Sequence, residues 1–186
     1  MKKFFTIIVF ILSVSIVTFS QDLAKKGTWE LGGGIGFSSL TYVDAGTTDA
    51  NGAHTTFSIS PEAGYFITDN FELGLLPLSF TSSSYNGNSS SQFNFLVAPT
   101  WNFDLQSKVY PYVQALIGYG SISSGGSSES GLDYGGQAGI KVQIASSSVL
   151  NIGLQYLSVT RDPSGSSDRY GYNYFQLMAG FSVFLK

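Results

Sequence analysis

The sequence has no cysteine, a single histidine and few charges: Asp, Glu, Lys and Arg together make up 11% of its 186 residues. Without cysteine there is no disulfide framework, no thiolate metal site and no lipid-modified cysteine. An ordinary water-soluble domain carries about 25% charged residues, so the shortage argues against a large solvated surface. A formal net charge of −3 gives no basic face for nucleic acid. After residue 20 no apolar run is long enough for a membrane helix, which needs about 20 residues. Disorder is excluded by the aromatics, which reach 15% with 11 Tyr and 15 Phe, since disordered chains are poor in them. The apolar residues are therefore abundant but dispersed.

The amino terminus reads as an export signal. Met1-Lys2-Lys3 is a short cationic region, Phe4 to Val17 is almost unbroken apolar sequence, and Thr18-Phe19-Ser20 sets small residues around a cut between Ser20 and Gln21. The expected organisation is a cleaved signal peptide at 1–20 and a single domain over 21–186.

Within that domain the dominant signal is period-two alternation, repeated about eight times. Trp29, Leu31, Ile35 and Phe37 alternate with Glu30, Gly32, Gly34 and Gly36. Leu132, Tyr134, Ala138, Ile140, Val142 and Ile144 oppose Asp133, Gly135, Gln137, Gly139, Lys141 and Gln143. The segment Phe71–Ser82 breaks phase, which predicts a β-bulge near Leu75–Pro77. Pro61, Pro99 and Pro111 fall inside strands, where each removes a ladder hydrogen bond.

Connectors alternate in length. Residues 42–53, 83–91, 123–131 and 161–169 read as long loops rich in Gly, Ser, Asn and Asp, whereas 68–70, 104–108 and 146–148 read as short turns. Aromatics gather near both strand ends, as at the two faces of a bilayer. The pattern predicts an all-β fold: an eight-stranded antiparallel up-and-down transmembrane β-barrel with long loops outside and short turns in the periplasm. The expected location is the outer membrane of a Gram-negative bacterium. A water-soluble barrel of the lipocalin kind is the rival, with the two faces exchanged.

Several phrases carry a family resemblance. Pro61-Glu62-Ala63-Gly64-Tyr65-Phe66-Ile67-Thr68-Asp69-Asn70-Phe71-Glu72-Leu73-Gly74, Pro111-Tyr112-Val113-Gln114-Ala115-Leu116-Ile117-Gly118-Tyr119-Gly120 and the last strand resemble the small outer-membrane barrels of the OmpX type and the transmembrane domain of OmpA. The resemblance implies partners in outer-membrane lipid, lipopolysaccharide and the barrel-assembly machinery. The ending Phe184-Leu185-Lys186 departs from the aromatic last residue common in that family.

By strand phase, Glu30, Glu62, Glu72 and Lys141 point into the lumen, with Gln114, Gln137, Gln143 and Gln155 beside them. The interior of so small a barrel is just wide enough for side chains to fill it. Strands two and six lie opposite one another, so Glu62 and Lys141 are expected to pair across the lumen as part of a polar network. Unpaired buried charge is costly. A closed plug is one reading of this network and a narrow ion or small-solute pore is the other.

His54, followed by Thr55 and Thr56 with Asp44 and Asp49 nearby, is a thin basis for a lipid-modifying enzyme, and no nucleophile motif accompanies it. Gly32-Gly33-Gly34-Ile35-Gly36 lies inside a strand, so it is no phosphate loop. The carboxylates of the outer loops lack metal-ligand spacing, and Arg161 and Arg169 read as solvated loop charges, with contact to the sugar phosphates of lipopolysaccharide as the lesser reading. No cofactor, metal, nucleic acid or catalysis is expected. The expected role is structural or interactive, with an external protein or ligand meeting the four long loops.

Overall fold

The computed structural model of the protein describes residues 23–40, 43–44, 47–48, 54–85, 88–105, 107–161 and 170–186. The cut between Ser20 and Gln21 lies outside them, as do most of 42–53 and all of 162–169. Eight long strands run along the chain: β1 (Trp29–Leu40), β2 (His54–Thr68), β3 (Phe71–Tyr85), β4 (Asn88–Asn102), β5 (Val109–Ser124), β6 (Ser127–Ala145), β7 (Ser148–Arg161) and β8 (Tyr170–Leu185). Each pairs antiparallel with its sequence neighbour, and β8 returns to β1 with Trp29 opposite Leu185 and Phe37 opposite Leu177. The sheet is a closed barrel. A two-residue ribbon, Val43–Asp44 against Thr47–Thr48, lies in the connector after β1.

Alternation decides which face is which. Ile35, Phe37, Phe95, Ile117, Tyr119, Leu154, Phe175 and Leu177 face outward, each at least 50% exposed, whereas Glu30, Glu72, Asp133 and Arg161 are buried inside. Water would not tolerate a continuous apolar wall of this extent, so the lipocalin arrangement is excluded and the wall suits lipid. Aromatic pairs mark both rims. Trp29–Tyr65 and Phe71–Trp101, with centroids 4.9 and 6.1 Å apart, stand at the short-turn end. Phe80–Phe93 and Tyr156–Phe175, at 5.0 and 4.8 Å, stand toward the long-loop end.

The phase break in β3 is a register shift against β4 between Leu76 and Ser79. Leu76 therefore points inward while Leu78 faces out. The shift encloses Pro77, the last residue of the span in which the sequence places the bulge. Pro61 falls within a second register shift, between Ile59 and Ala63 on the β3 side of β2. Pro99 falls where the β4–β5 ladder lapses between Val97 and Thr100.

Two of the four expected long loops are corrected. Residues 83–91 are mostly strand: Ser82, Ser83 and Ser84 pair with Ser91, Ser90 and Ser89, and only 86–87 fall outside the description. Residues 123–131 are a continuous hairpin turning at Gly125–Gly126, both with positive φ (59° and 86°), the two-residue turn that matches strand twist. Serine-rich sequence reads as loop by composition, but hydroxyl pairs such as Thr56–Ser83 (3.2 Å) and Ser121–Ser128 (3.0 Å) tie the strands together here.

Packing at β4–β5 is close enough to require glycine. A Cβ on Gly118 would meet the Phe95 carbonyl oxygen and, at 2.8 Å, Leu96 Cα. Gly118→Val is expected to lower stability by about 1–3 kcal/mol, read as a lower urea midpoint in phosphatidylcholine vesicles. An unchanged midpoint would contradict the packing.

Candidate functional site: the barrel interior

The interior is stacked in layers, each fixed by positions two residues apart on several strands. At the short-turn end the chain before β1 folds into the mouth. Leu23 and Ala24 are buried against Phe66, Tyr110, Val149 and Phe184. This segment is held by backbone bonds from Gly27 N–H to the Phe66 carbonyl (2.9 Å), from Phe66 N–H to that of Thr28 (2.9 Å) and from Asn70 N–H to that of Ala24 (2.8 Å). Outside the mouth, Asp69 in the β2–β3 turn accepts from the Lys26 backbone N–H at 2.9 Å and lies 3.5 Å from Lys25 Nζ. The Lys26 bond, and then the Lys25 charge, hold the Asp69 carboxyl below its ordinary range.

Above this plug sits the charged layer. Lys141 on β6 donates to Glu30 on β1 at 2.6 Å and to Glu72 on β3 at 3.3 Å, all three nearly inaccessible. The ammonium also lies 5.4 Å from the Tyr112 ring centroid and 5.9 Å from that of Phe184, within cation–π range. Glu62 is not the partner of Lys141: its Oε1 accepts from Gln114 Nε2 at 2.7 Å. Opposed strands on a small ring suggest the cross-lumen pair, but barrel shear brings β1 and β3 to the β6 lysine instead.

A glutamine network follows. Gln114 also donates to Thr100 Oγ1 (2.9 Å), Gln137 to the Tyr112 hydroxyl (2.5 Å) and Gln155 to Gln137 Oε1 (3.2 Å). Gln176 extends it by donating to Gln155, and Ser58 donates to Gln176 at 2.8 Å. Gln143 stands apart near the β6–β7 turn, donating to the Ser146 carbonyl at 3.4 Å.

Next along the same strands come Leu76, Leu96, Leu116, Leu157 and Val159, an apolar layer packed with Tyr174. Beyond it Arg161 grips Asp133 with both terminal nitrogens, at 2.5 and 3.3 Å. Gln92 donates to Asp133 Oδ2 at 3.4 Å, and the Asn94 amide turns to donate to the same oxygen at 2.8 Å. Arg161 is thus turned inward and does not face sugar phosphates.

The lumen glycines give these side chains room. A Cβ on Gly64 would collide with the Glu72 carboxylate. One on Gly153 would stand 2.6 Å from the Tyr112 hydroxyl, and one on Gly120 would stand 3.0 Å from Arg161 Nη2.

The expected lumen set is therefore placed as follows: Glu30, Glu72 and Lys141 meet directly; Glu62, Gln114, Gln137 and Gln155 form the adjoining network; Gln143 joins neither. Three features escaped the sequence reading. Phase alone would have found Arg161, which continues the inward row Gln155, Leu157, Val159. The inward leucines were legible in the same way. The plug was not, because Leu23–Thr28 has no periodicity. Among the described residues no group of three or more His, Cys, Asp and Glu is placed to hold a metal ion. His54 opens β2 in register with Leu40.

Two outcomes follow from this layer order. Lys141→Met strands buried carboxylates and is expected to cost about 3–5 kcal/mol by urea titration in vesicles, and a loss below about 1 kcal/mol would contradict the pairing. Asp69 has a depressed folded-state pKa, so its contribution is present above the ordinary value of about 3.9 and is lost as pH falls through the lower folded value. Amide-exchange protection at Lys26 should hold at pH 5 and fall only as the pH is taken below about 3.9, and Asp69→Ala, which removes the acceptor, should abolish it at every pH.

The comparisons with known proteins agree with this architecture. A family model described as "Outer membrane protein beta-barrel domain" matches residues 6–182. Neisserial surface protein A (NspA) is similar in structure with a TM-score of 0.64 at 18% identity, over 85% of this chain and 97% of that one. The outer membrane protein OprG from Pseudomonas aeruginosa gives 0.54 at 13% identity, over 87% and 97%. No curated protein sequence matches.

Proposed function

Given that the chain belongs to the outer membrane protein beta-barrel domain family, which places it in the outer membrane of a Gram-negative bacterium, we propose that it is a closed, non-catalytic anchor that displays its outer hairpins to external partners. The observation that carries this reading is the filled interior. Between the charged layer and the leucine layer lies a cavity of about 30 Å³, bordered by Glu62, Tyr112, Gln114, Gln137 and Lys141. That holds one or two water molecules, which supports a closed lumen over a solute path. The plug of Leu23 and Ala24 and the layer around Leu96 and Leu116 stand on either side of it.

The arrangement suits anchoring. Each interior layer ties together strands distant in sequence: Lys141 spans 111 positions to Glu30, and Ser58 spans 118 to Gln176. A wall braced in this way gives projecting hairpins a rigid base. Barrel assembly, lipopolysaccharide, and a protein or ligand at the outer segments are the partners this role implies.

A planar-bilayer recording tests the reading. Purified full-length protein is expected to give no stable unitary conductance between pH 5 and 8. A reproducible open channel would overturn the closed anchor in favour of a narrow pore. Catalysis is tested separately: expression is expected to leave lipid A unchanged by mass, and a modification lost in His54→Ala would contradict the non-catalytic reading.

A further inference from the structure

The outward wall changes chemistry abruptly above the outer aromatic ring. On β3 the residues beyond Phe80 on the same face are Ser82 and Ser84, and on β4 those beyond Phe93 are Ser91 and Ser89. On β5 Tyr119 gives way to Ser121 and Ser123, and on β6 Leu132 gives way to Ser130 and Ser128. Period-two geometry puts them all on the continuation of the lipid-facing wall.

They also adjoin sideways. Ser82 pairs with Ser91, Ser91 with Ser123, and Ser123 with Ser128, while Ser84 pairs with Ser89 and Ser121 with Ser130. Ser84, Ser89, Ser123 and Ser128 are exposed. The result is a hydroxyl field four strands wide, seated on the ring made by Phe80, Phe93 and Tyr119. It bears no charge. Glu129 belongs to the opposite phase of β6, and Arg161 is turned into the lumen toward Asp133.

We infer that this field is a contact surface for the sugar headgroups of the outer-leaflet glycolipid, lipopolysaccharide. The field continues the wall that acyl chains cover, so what meets it is the part of the same molecules just above the acyl layer. Each serine offers one donor and two acceptor positions, which matches a partner dense in hydroxyls. Phosphate recognition would draw on Arg or Lys, and the field presents neither. Internal bonds, such as Tyr119 to Ser130 at 3.2 Å, orient some hydroxyls while leaving acceptor capacity free. The inference rests on the outer-membrane assignment and not on the closed lumen, so a conducting barrel would leave it standing.

The test is thermal unfolding of the full-length protein in phosphatidylcholine vesicles with and without purified lipopolysaccharide. The wild type is expected to unfold at a higher temperature when lipopolysaccharide is present. Ser84→Ala/Ser89→Ala/Ser123→Ala/Ser128→Ala loses the Ser121–Ser128 and Ser123–Ser128 bonds, so its unfolding temperature in phosphatidylcholine alone is its own baseline, and against that baseline it is expected to lose most of the increment. The corresponding Thr variant is expected to keep it. Because charge is not the chemistry, the wild-type increment should survive 0.5 M NaCl, where screening shortens to a few ångströms, roughly 3–5 Å.

Equal increments in the wild type and the Ala variant would overturn the proposal, as would no increment in the wild type, or one abolished by salt. Polysaccharide freed of lipid, added to phosphatidylcholine vesicles, is the last arm. If it reproduces the full wild-type increment, the partner is a free glycan and the glycolipid assignment is wrong.

Discussion

Closure of the sheet between β1 and β8 is the constraint on which the remaining structure depends. In lipid no water satisfies an exposed N–H or carbonyl, so a sheet that spans must have no edge. Pairing Trp29 through Phe37 with Leu185 through Leu177 removes both edges at once. Closure at eight strands then leaves an interior that side chains must fill. The layers follow from that requirement: an apolar plug, a lysine between two glutamates, a glutamine network, a leucine layer and an arginine–aspartate pair.

The same constraint explains the composition. Outward positions are apolar because they meet acyl chains, and inward positions outside the leucine layer and the plug are polar or glycine because they meet one another. Few charges are present, and of those inside, Lys141 and Arg161 each lie against a carboxylate. A lone buried charge would cost several kcal/mol, about 3–5 by analogy with broken buried pairs. Glycine contributes space: at Gly64, Gly120 and Gly153 the missing side chain is where a neighbour's polar head lies.

Much of this was legible in the sequence, and the limits have physical reasons. Strand phase depends only on alternation, so the outward row Ile35, Phe37 and the inward Glu30 read correctly. Pairing across the lumen depends on shear and register, which alternation does not contain. Hence alternation alone points to Glu62 as the partner of Lys141, whereas the contacts of Lys141 are Glu30 and Glu72. Serine content suggested loops at 83–91 and 123–131, yet paired hydroxyl strands extend through both, because ladder bonds and a Gly125–Gly126 turn outweigh local propensity. The plug at Leu23–Thr28 left no trace, since a non-periodic segment is positioned by the mouth it fills.

The central claim is a lumen closed to solutes from the plug to the Arg161–Asp133 pair, with room for only one or two water molecules between. The absence of native cysteine makes it directly measurable by single-cysteine labelling in sealed vesicles. Gln155→Cys, in the middle layer, is expected to resist a small charged thiosulfonate applied from either side, whereas Ser127→Cys on the outer hairpin should label at once. Labelling of position 155 at a rate comparable to that of position 127, in protein shown to be folded, would contradict the account.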